Sequence, residues 1–168
     1  MKAERKYLAH YLDGNFDMTY KATDYVRVGK DLEELTTELS PNIESKANIL
    51  GESSVVHQGY EATSTVSPMY YDYDDTLTSK IMEIAMLRKA GDSCKTSYVE
   101  VLLKPGATEN DPPTIIRAVR EDVLLIPTSY GGDTSGVQIP FSINYSGNRT
   151  LGTWDMETRT FTASGTGL

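Results

Sequence analysis

Asp74-Asp-Thr-Leu-Thr-Ser-Lys-Ile-Met-Glu-Ile-Ala-Met-Leu-Arg-Lys-Ala-Gly91 is the one stretch of this chain that reads as helix, and it decides the fold. Leu77, Ile81, Ile84 and Ala85 fall on one face, with Met82 and Arg88 on its flanks. Asp74, Asp75 or Thr76 can cap the N-terminus, where carboxylates also suit the positive end of the helix dipole. Arg88 and Lys89 lie in the last turn, and Gly91 is placed for a left-handed stop. Everything on either side has the period of strands or the composition of turns.

Upstream, Leu8, His10 and Leu12 alternate with Tyr7, Ala9 and Tyr11, a weak strand pattern within a possible N-terminal arm at residues 1–12. Asp13 to Thr23 is rich in turn formers and reads as a loop. Tyr25–Val28 is a short strand. Leu35, Thr37 and Leu39 alternate with Glu34, Thr36 and Glu38, predicting a strand over 33–40. Ser40-Pro-Asn42 then reads as a turn into a return strand over 43–50, with Leu50-Gly-Glu-Ser-Ser54 as the next loop. Val55 to Met69 is extended, interrupted by Gly59 and Pro68.

Downstream, Ser97, Val99, Val101 and Leu103 predict one buried strand face, with Tyr98, Glu100 and Lys104 mostly outward. Thr114 to Thr128 is a long apolar strand whose phase blurs at Arg120-Glu-Asp122, where a bulge or corner would restore register. Glycine-dense Ser129–Gly136 reads as a structural hairpin or contact loop. Val137, Ile139, Phe141, Ile143 and Tyr145 form the cleanest alternation, with Pro140 predicting an edge or bulge. Short strands follow at 150–154 and 160–162, and residues 164–168 read as a flexible end. The expectation is a single domain over residues 1–168, α+β but mainly β. It is an antiparallel β-sandwich or barrel of roughly nine strands with one flanking helix at about 75–90 and extended loops or arms.

Composition narrows the function classes. Eleven Tyr against three Phe suggest half-buried strand positions with a wet end, as at subunit interfaces. The single cysteine, Cys94, excludes an internal disulfide framework and fits a reducing compartment. The start lacks an apolar run of signal length, and no stretch approaches the ~20 apolar residues of a membrane span. A soluble protein, cytosolic when made, is the expectation. A net charge of −8 without clustered Lys or Arg argues against nucleic-acid binding. It suits a surface that tolerates DNA nearby without sticking to it.

Candidate chemical motifs have simpler readings. Tyr70-Tyr-Asp-Tyr-Asp-Asp75 gathers three carboxylates but lacks the spacing of a Ca²⁺ loop, so helix capping accounts for them. His10 and His57 lie far apart without ligands at metal-site spacing. Gly91-Asp-Ser-Cys-Lys95 resembles a nucleophile elbow, but Lys95 replaces the second glycine and a helix precedes it. Gly131-Gly-Asp-Thr-Ser-Gly136 lacks the Gly-Lys-Ser/Thr of a phosphate loop. Two glycosylation sequons, at Asn144 and Asn148, carry no weight without a secretion signal. No catalytic constellation, cofactor site or metal site is expected, and the chain reads as a non-enzyme.

Several blocks together resemble the major tail (tail tube) proteins of long-tailed bacteriophages and prophages of Gram-positive bacteria. They are Tyr7-Leu-Ala-His-Tyr-Leu12, Tyr25-Val-Arg-Val-Gly-Lys-Asp-Leu-Glu33 and Ser40-Pro-Asn-Ile-Glu-Ser-Lys-Ala-Asn-Ile-Leu-Gly-Glu52. The most telling is Pro127-Thr-Ser-Tyr-Gly-Gly-Asp-Thr-Ser-Gly-Val-Gln-Ile-Pro-Phe141, continuing to Asn148-Arg-Thr-Leu-Gly-Thr153. The resemblance implies a structural virion protein whose hexameric rings stack into a tube around a DNA-conducting channel. By the same resemblance its partners are copies of itself, the tape measure protein, the tail terminator and tail tip proteins. Its location would be the virion tail, and the host cytoplasm during assembly. DNA would pass without specific binding, and six copies at −8 each carry about −48, which repels it. Strands 33–40 and 43–50 would belong to the channel sheet. Leu50, Gly51, Glu52, Ser53, Ser54 and the N-terminal arm would contact the next ring, and Glu34, Glu38 and Glu44 would face the channel. A head–tail connector or tail terminator ring is the alternative within virion assembly. A carbohydrate-binding β-sandwich module, with Tyr70, Tyr71 and Tyr73 as an aromatic platform, is the alternative outside it.

Overall fold

A computed structural model describes residues 1–167. In chain order the strands are β1 (Leu8–Asp13), β2 (Tyr25–Val28), β3 (Thr37–Glu38), β4 (Pro41–Ala47), β5 (Ser53–Tyr60) and β6 (Thr63–Val66). The helix α1 (Thr76–Leu87) follows, then β7 (Lys95–Lys104), β8 (Thr114–Pro127), β9 (Gly131–Asp133) and β10 (Gly136–Gln138). The chain ends with β11 (Phe141–Tyr145), β12 (Thr150–Asp155) and β13 (Thr160–Gly167). The main sheet runs β2-β1-β7-β8-β11-β6-β3, with β12 on β8 and β13 on β12. All its pairings are antiparallel, and it curls into a half-barrel. This is the mainly β, α+β fold that the helix and strand periods predict.

Helix α1 is shorter than predicted. Asp75 caps it, accepting from the Leu77 N–H at 3.0 Å, but the left-handed stop is Arg88 at φ 52°, three residues before Gly91. The Arg88 and Lys89 N–H groups donate to Ala85 and Ile84 carbonyls and close the last turn. Leu77, Ile81 and Ile84 are buried as expected. Leu77 and Ile81 pack with Leu12, Val28, Tyr98, Val123, Leu125, Phe141 and Ile143 on the sheet. Each such side chain contributes about 1.5–3 kcal/mol by leaving water.

The sheet buries its other face as well. Ala9, Tyr11, Tyr25, Val99, Val101, Leu103 and Ala118 meet Trp154, carried by the β12–β13 hairpin. The Trp154 ring lies 4.7 Å from Tyr11 and edge-on at 5.5 Å from Tyr25. Beyond it, the Arg159 guanidinium donates to the Tyr25 carbonyl at 2.8 Å, so the hairpin reaches back to the sheet's β2 edge. From Thr96 to Val99 the central strand β7 is covered on both sides and has no outward face, whereas Leu102 and Lys104 farther along it are exposed. Tyr98, expected outside, is therefore buried in the helix-side core, while Val99 and Val101 face the hairpin.

Other boundaries also move. Residues 8–12 are not an arm, because β1 is paired on both edges, by β2 and β7. The flexible end predicted at 164–168 is strand through Gly167, in ladder with Thr150; Leu168 lies outside the described residues. The β8 bulge is at Ile116, and no bulge interrupts the β7–β8 register at residues 120–122. There β8 instead changes partners, from β12 at Ala118–Arg120 to β11 at Val123–Pro127. Pro140 marks the predicted break, dividing 137–145 into β10 and β11. Ile139, Phe141 and Ile143 are buried as expected, whereas Val137 is 48% exposed.

Candidate functional site

The largest departure from the predicted topology is also the largest uncovered feature. Residues 33–40 do not form a long strand: only Thr37 and Glu38 pair, with β6. Ser40-Pro-Asn42 is not the turn of a hairpin. Ser40 takes φ 43°, and Pro41 begins β4 directly. The hairpin is β4 with β5, closed at Asn48–Glu52, and it forms a two-stranded sheet separate from the main one. Its base is pinched where the Glu61 N–H donates to the Ser40 carbonyl at 3.3 Å.

This arm is solvated along almost its whole length: every residue of β4 is exposed, as is every residue of β5 except Gly59. Eight residues of β5 at about 3.3 Å each give it a reach of about 26 Å. One face carries Ile43, Ala47 and Val55 with Ser45, Ser53 and His57, as the register shows. The opposite face carries Glu44, Lys46, Ser54 and Val56. The register slips between Asn42 and Ile43, leaving Gln58 as the extra residue beside Gly59 at φ 123°, a conformation that favours glycine. Exposure of Ile43 reaches 60%, Val55 72%, Leu50 77% and Ile49 102%. Two exposed strands with apolar side chains on one face form a hairpin that is marginal by itself in water.

The tip is locally well made. The Asn48 side-chain oxygen accepts the Leu50 and Glu52 N–H groups at 2.9 and 3.0 Å, and its amide donates to the Glu52 carboxylate at 2.7 Å. The five residues predicted to touch a neighbouring ring thus lie together, with Leu50, Gly51 and Glu52 in the tip and Ser53 and Ser54 opening β5. Sequence reading missed Ile43, Val55 and Tyr60 as parts of the same surface. Their signal was available in the register of a hairpin turning at Asn48–Glu52.

The three glutamates predicted to share a channel wall sit on separate elements. Glu34 lies in the loop before β3 and accepts from Thr36 Oγ1, Glu38 is on β3, and Glu44 is on β4. Glu44 accepts from the Gln58 amide and pairs with Lys46 at 3.6 Å. All three are exposed.

Arg5, His10, Tyr98 and Glu100 form a directed chain of polar groups across β1 and β7. Arg5 can only donate, so the His10 Nε2 at 2.9 Å accepts and Nδ1 carries the proton. That proton points at Tyr98 Oη, 2.5 Å away, and Tyr98 donates to Glu100 Oε2 at 2.8 Å. Burial pushes the Glu100 carboxyl up, but hydrogen bonds from His10 and Tyr98 outweigh it and hold the group below its ordinary value. Burial holds the Tyr98 phenol well above its own. The chain ties β1 to β7 and opens on a cleft of about 340 Å³ lined by Arg5, Arg27, Glu33 and Glu34.

The remaining motifs sit as follows. Cys94 closes a 3₁₀ turn, buried, with its thiol pushed up by burial and directed to the Lys89 carbonyl. His57 stacks edge-on against Tyr60 in the arm. Gly131–Gln138 is a small hairpin, β9 with β10, as expected. Tyr71 and Tyr73 meet edge-on at 84°, which is not the flat platform a sugar ring stacks on. No helix among the described residues is long and apolar enough to cross a membrane. No family model and no curated protein matches the chain.

Proposed function

We propose that the chain is a structural assembly subunit, a tail tube protein whose copies form hexameric rings stacked around a DNA channel. The observation that carries this reading is the β4–β5 arm, a hairpin about 26 Å long whose two faces and apolar tip have no cover within the subunit. Apolar strand surface of this extent is stabilised when another chain packs on it or pairs with its edge. The main sheet adds open borders of its own, at β2 and at the two-residue β3. Closed rings satisfy such borders without leaving a free end. Leu50 to Ser54 at the arm's tip are the contacts with the next ring, and the formal charge of −8 per subunit suits a conduit that DNA must not adhere to.

Negative-stain electron microscopy of the purified protein tests it directly. Rings or tubes are the expected result. A strict monomer at high concentration, still monomeric with tail proteins added, overturns the proposal. Single rings that never stack would point to a connector or terminator instead.

A further inference from the structure

The loop between β1 and β2 gathers negative charge, offset at Asp17 by the nearby charge of Lys21 but by no ion pair among the described residues. Asp13 ends β1 opposite Tyr25, and the Gly14 N–H donates to the Asp24 carbonyl at 2.8 Å. Strand pairing therefore brings together the first and last residues of a twelve-residue segment, Asp13–Asp24. Asp17 folds back toward them, so that one carboxylate oxygen from each of Asp13, Asp17 and Asp24 lies within 4.8 Å of the other two.

Asp13 is 0% exposed, and its Oδ2 is buried without a hydrogen-bond donor; Asp24 Oδ2 is buried and unpartnered too. Loop groups satisfy only the other oxygens. The Asn15 N–H donates to Asp13 Oδ1 at 2.9 Å, and Thr19 donates twice to Asp17 Oδ1, at 3.1 Å from N–H and 2.8 Å from its hydroxyl. A buried carboxylate oxygen with no donor is costly, and like charges beside it raise the cost. Burial pushes the Asp13 carboxyl up, and Asp17 and Asp24 push the same way against the Asn15 amide. No Lys or Arg forms an ion pair with any of the three among the described residues.

The spacing supplies the missing partner. Asp13-Gly-Asn15-Phe-Asp17-Met-Thr19-Tyr-Lys-Ala-Thr-Asp24 has side-chain oxygens at positions 1, 3, 5 and 12, where a twelve-residue Ca²⁺ loop carries side-chain ligands; position 7 ligates through its backbone carbonyl, and position 9, often a water-mediated ligand, is Lys21. Position 6, a glycine in such loops, is Met18 at φ 58°, so the backbone makes the left-handed turn that glycine makes there. We propose that the Asp13–Asp24 loop binds one Ca²⁺ ion through the carboxylates of Asp13, Asp17 and Asp24, in a β-hairpin rather than between helices. The ion neutralises the orphaned oxygens of Asp13 and Asp24. It also fixes a loop that touches two elements. A side chain at Gly14 would come within 3.1 Å of the Leu77 backbone in α1, and Tyr20 donates to Asp122 on β8 while its ring stacks under Arg120.

Calorimetry and thermal unfolding of the full chain, stripped with EDTA and titrated with CaCl₂, test the site, with MgCl₂ and NaCl at matched ionic strength as controls. One site is expected, with Kd of about 10⁻⁴–10⁻³ M, the weak end for such loops because Asp24 is shorter than the usual bidentate glutamate. At about ten times Kd, the melting temperature rises by roughly 3–6 °C. Asp17→Asn, a change at an exposed position that leaves the fold intact, weakens Ca²⁺ binding about tenfold or more. Absence of heat and of any melting shift at about 10 mM Ca²⁺ overturns the site. So does an equal effect of Mg²⁺ or NaCl, or unchanged binding by Asp17→Asn. The readout is on the subunit itself, so its failure leaves the assembly reading standing, and loss of assembly leaves this site standing.

Discussion

Strand β7 and the β4–β5 arm occupy opposite ends of one scale. In β7, Thr96 to Val99 and Val101 are all buried, because a helix covers one face of the sheet and the β12–β13 hairpin covers the other. In the arm neither face is covered, although Ile43, Val55, Ile49 and Leu50 are as apolar as many core residues. Both regions have well-paired backbones, so hydrogen bonding does not separate them. Burial does. The chain's own stability resides around β7, and the arm's apolar surface contributes free energy only when something covers it, which in the proposed assembly is another copy.

The comparison breaks most visibly in the core. Phe141→Asp or Ile139→Asp buries an unpaired charge at a site with 0% exposure and is expected to cost more than about 4 kcal/mol, enough to unfold the chain in denaturant titrations. A soluble, fully folded variant would mean that Ile139 and Phe141 do not face the core. The arm predicts the reverse pattern. Because Ser40 and Glu61 already touch, residues 41–60 can be replaced by a Gly-Gly link. That deletion should leave the unfolding free energy within about 1 kcal/mol of the parent while, if the assembly proposal holds, abolishing rings and tubes in micrographs. Unfolding on deletion would show that the arm supports its own subunit.

Glu100→Gln sharpens the β7 side. The folded-state carboxyl lies below its unfolded value, so the native state binds fewer protons. Its stabilisation is complete above the unfolded carboxylate range near pH ~4.3 and is lost as pH falls through the lower, folded pKa. The variant should lose roughly 1.5–3 kcal/mol at neutral pH, with the difference from the parent shrinking toward pH ~3. A gap independent of pH would remove the charge from the explanation. The smallest change is Glu52→Lys at the arm's tip. It forfeits one exposed hydrogen bond from Asn48, worth about 0.5 kcal/mol, so the chain should stay folded while the proposed stacking weakens. Normal tubes from it would take the tip out of the ring–ring contact.

The elements legible in sequence were those with one buried and one solvated face. Leu77, Ile81 and Ile84 announced α1, Val99, Val101 and Leu103 announced half of β7, and Phe141 and Ile143, with Ile139 just before them, announced β11. Periodicity works there because the solvent contrast it reports exists. It failed for Tyr98, whose side of the sheet is covered by a helix rather than by water, and whose hydroxyl finds His10 and Glu100. It failed again from Glu33 to Leu50, where alternation suggested a hairpin turning at Pro41. With both faces of the arm in solvent, no burial contrast marks the register, and the turn at Asn48 is set by its local side-chain hydrogen bonds.

At the C-terminus, Ser, Gly and Thr read as a flexible end, yet the β13 backbone completes a ladder with β12. The acidic loop shows the same division. Asp13, Asn15, Asp17 and Asp24 stand at ligand spacing in the sequence, but only β1–β2 pairing and the fold of the loop draw the carboxylates of Asp13, Asp17 and Asp24 together. The amino-acid order by itself determined the one helix, the strand-rich class and the apolar faces, because local periodicity encodes them. Tertiary structure decided which faces are doubly covered, which hairpin stands free and which charges converge, because each depends on contacts between residues far apart in the chain.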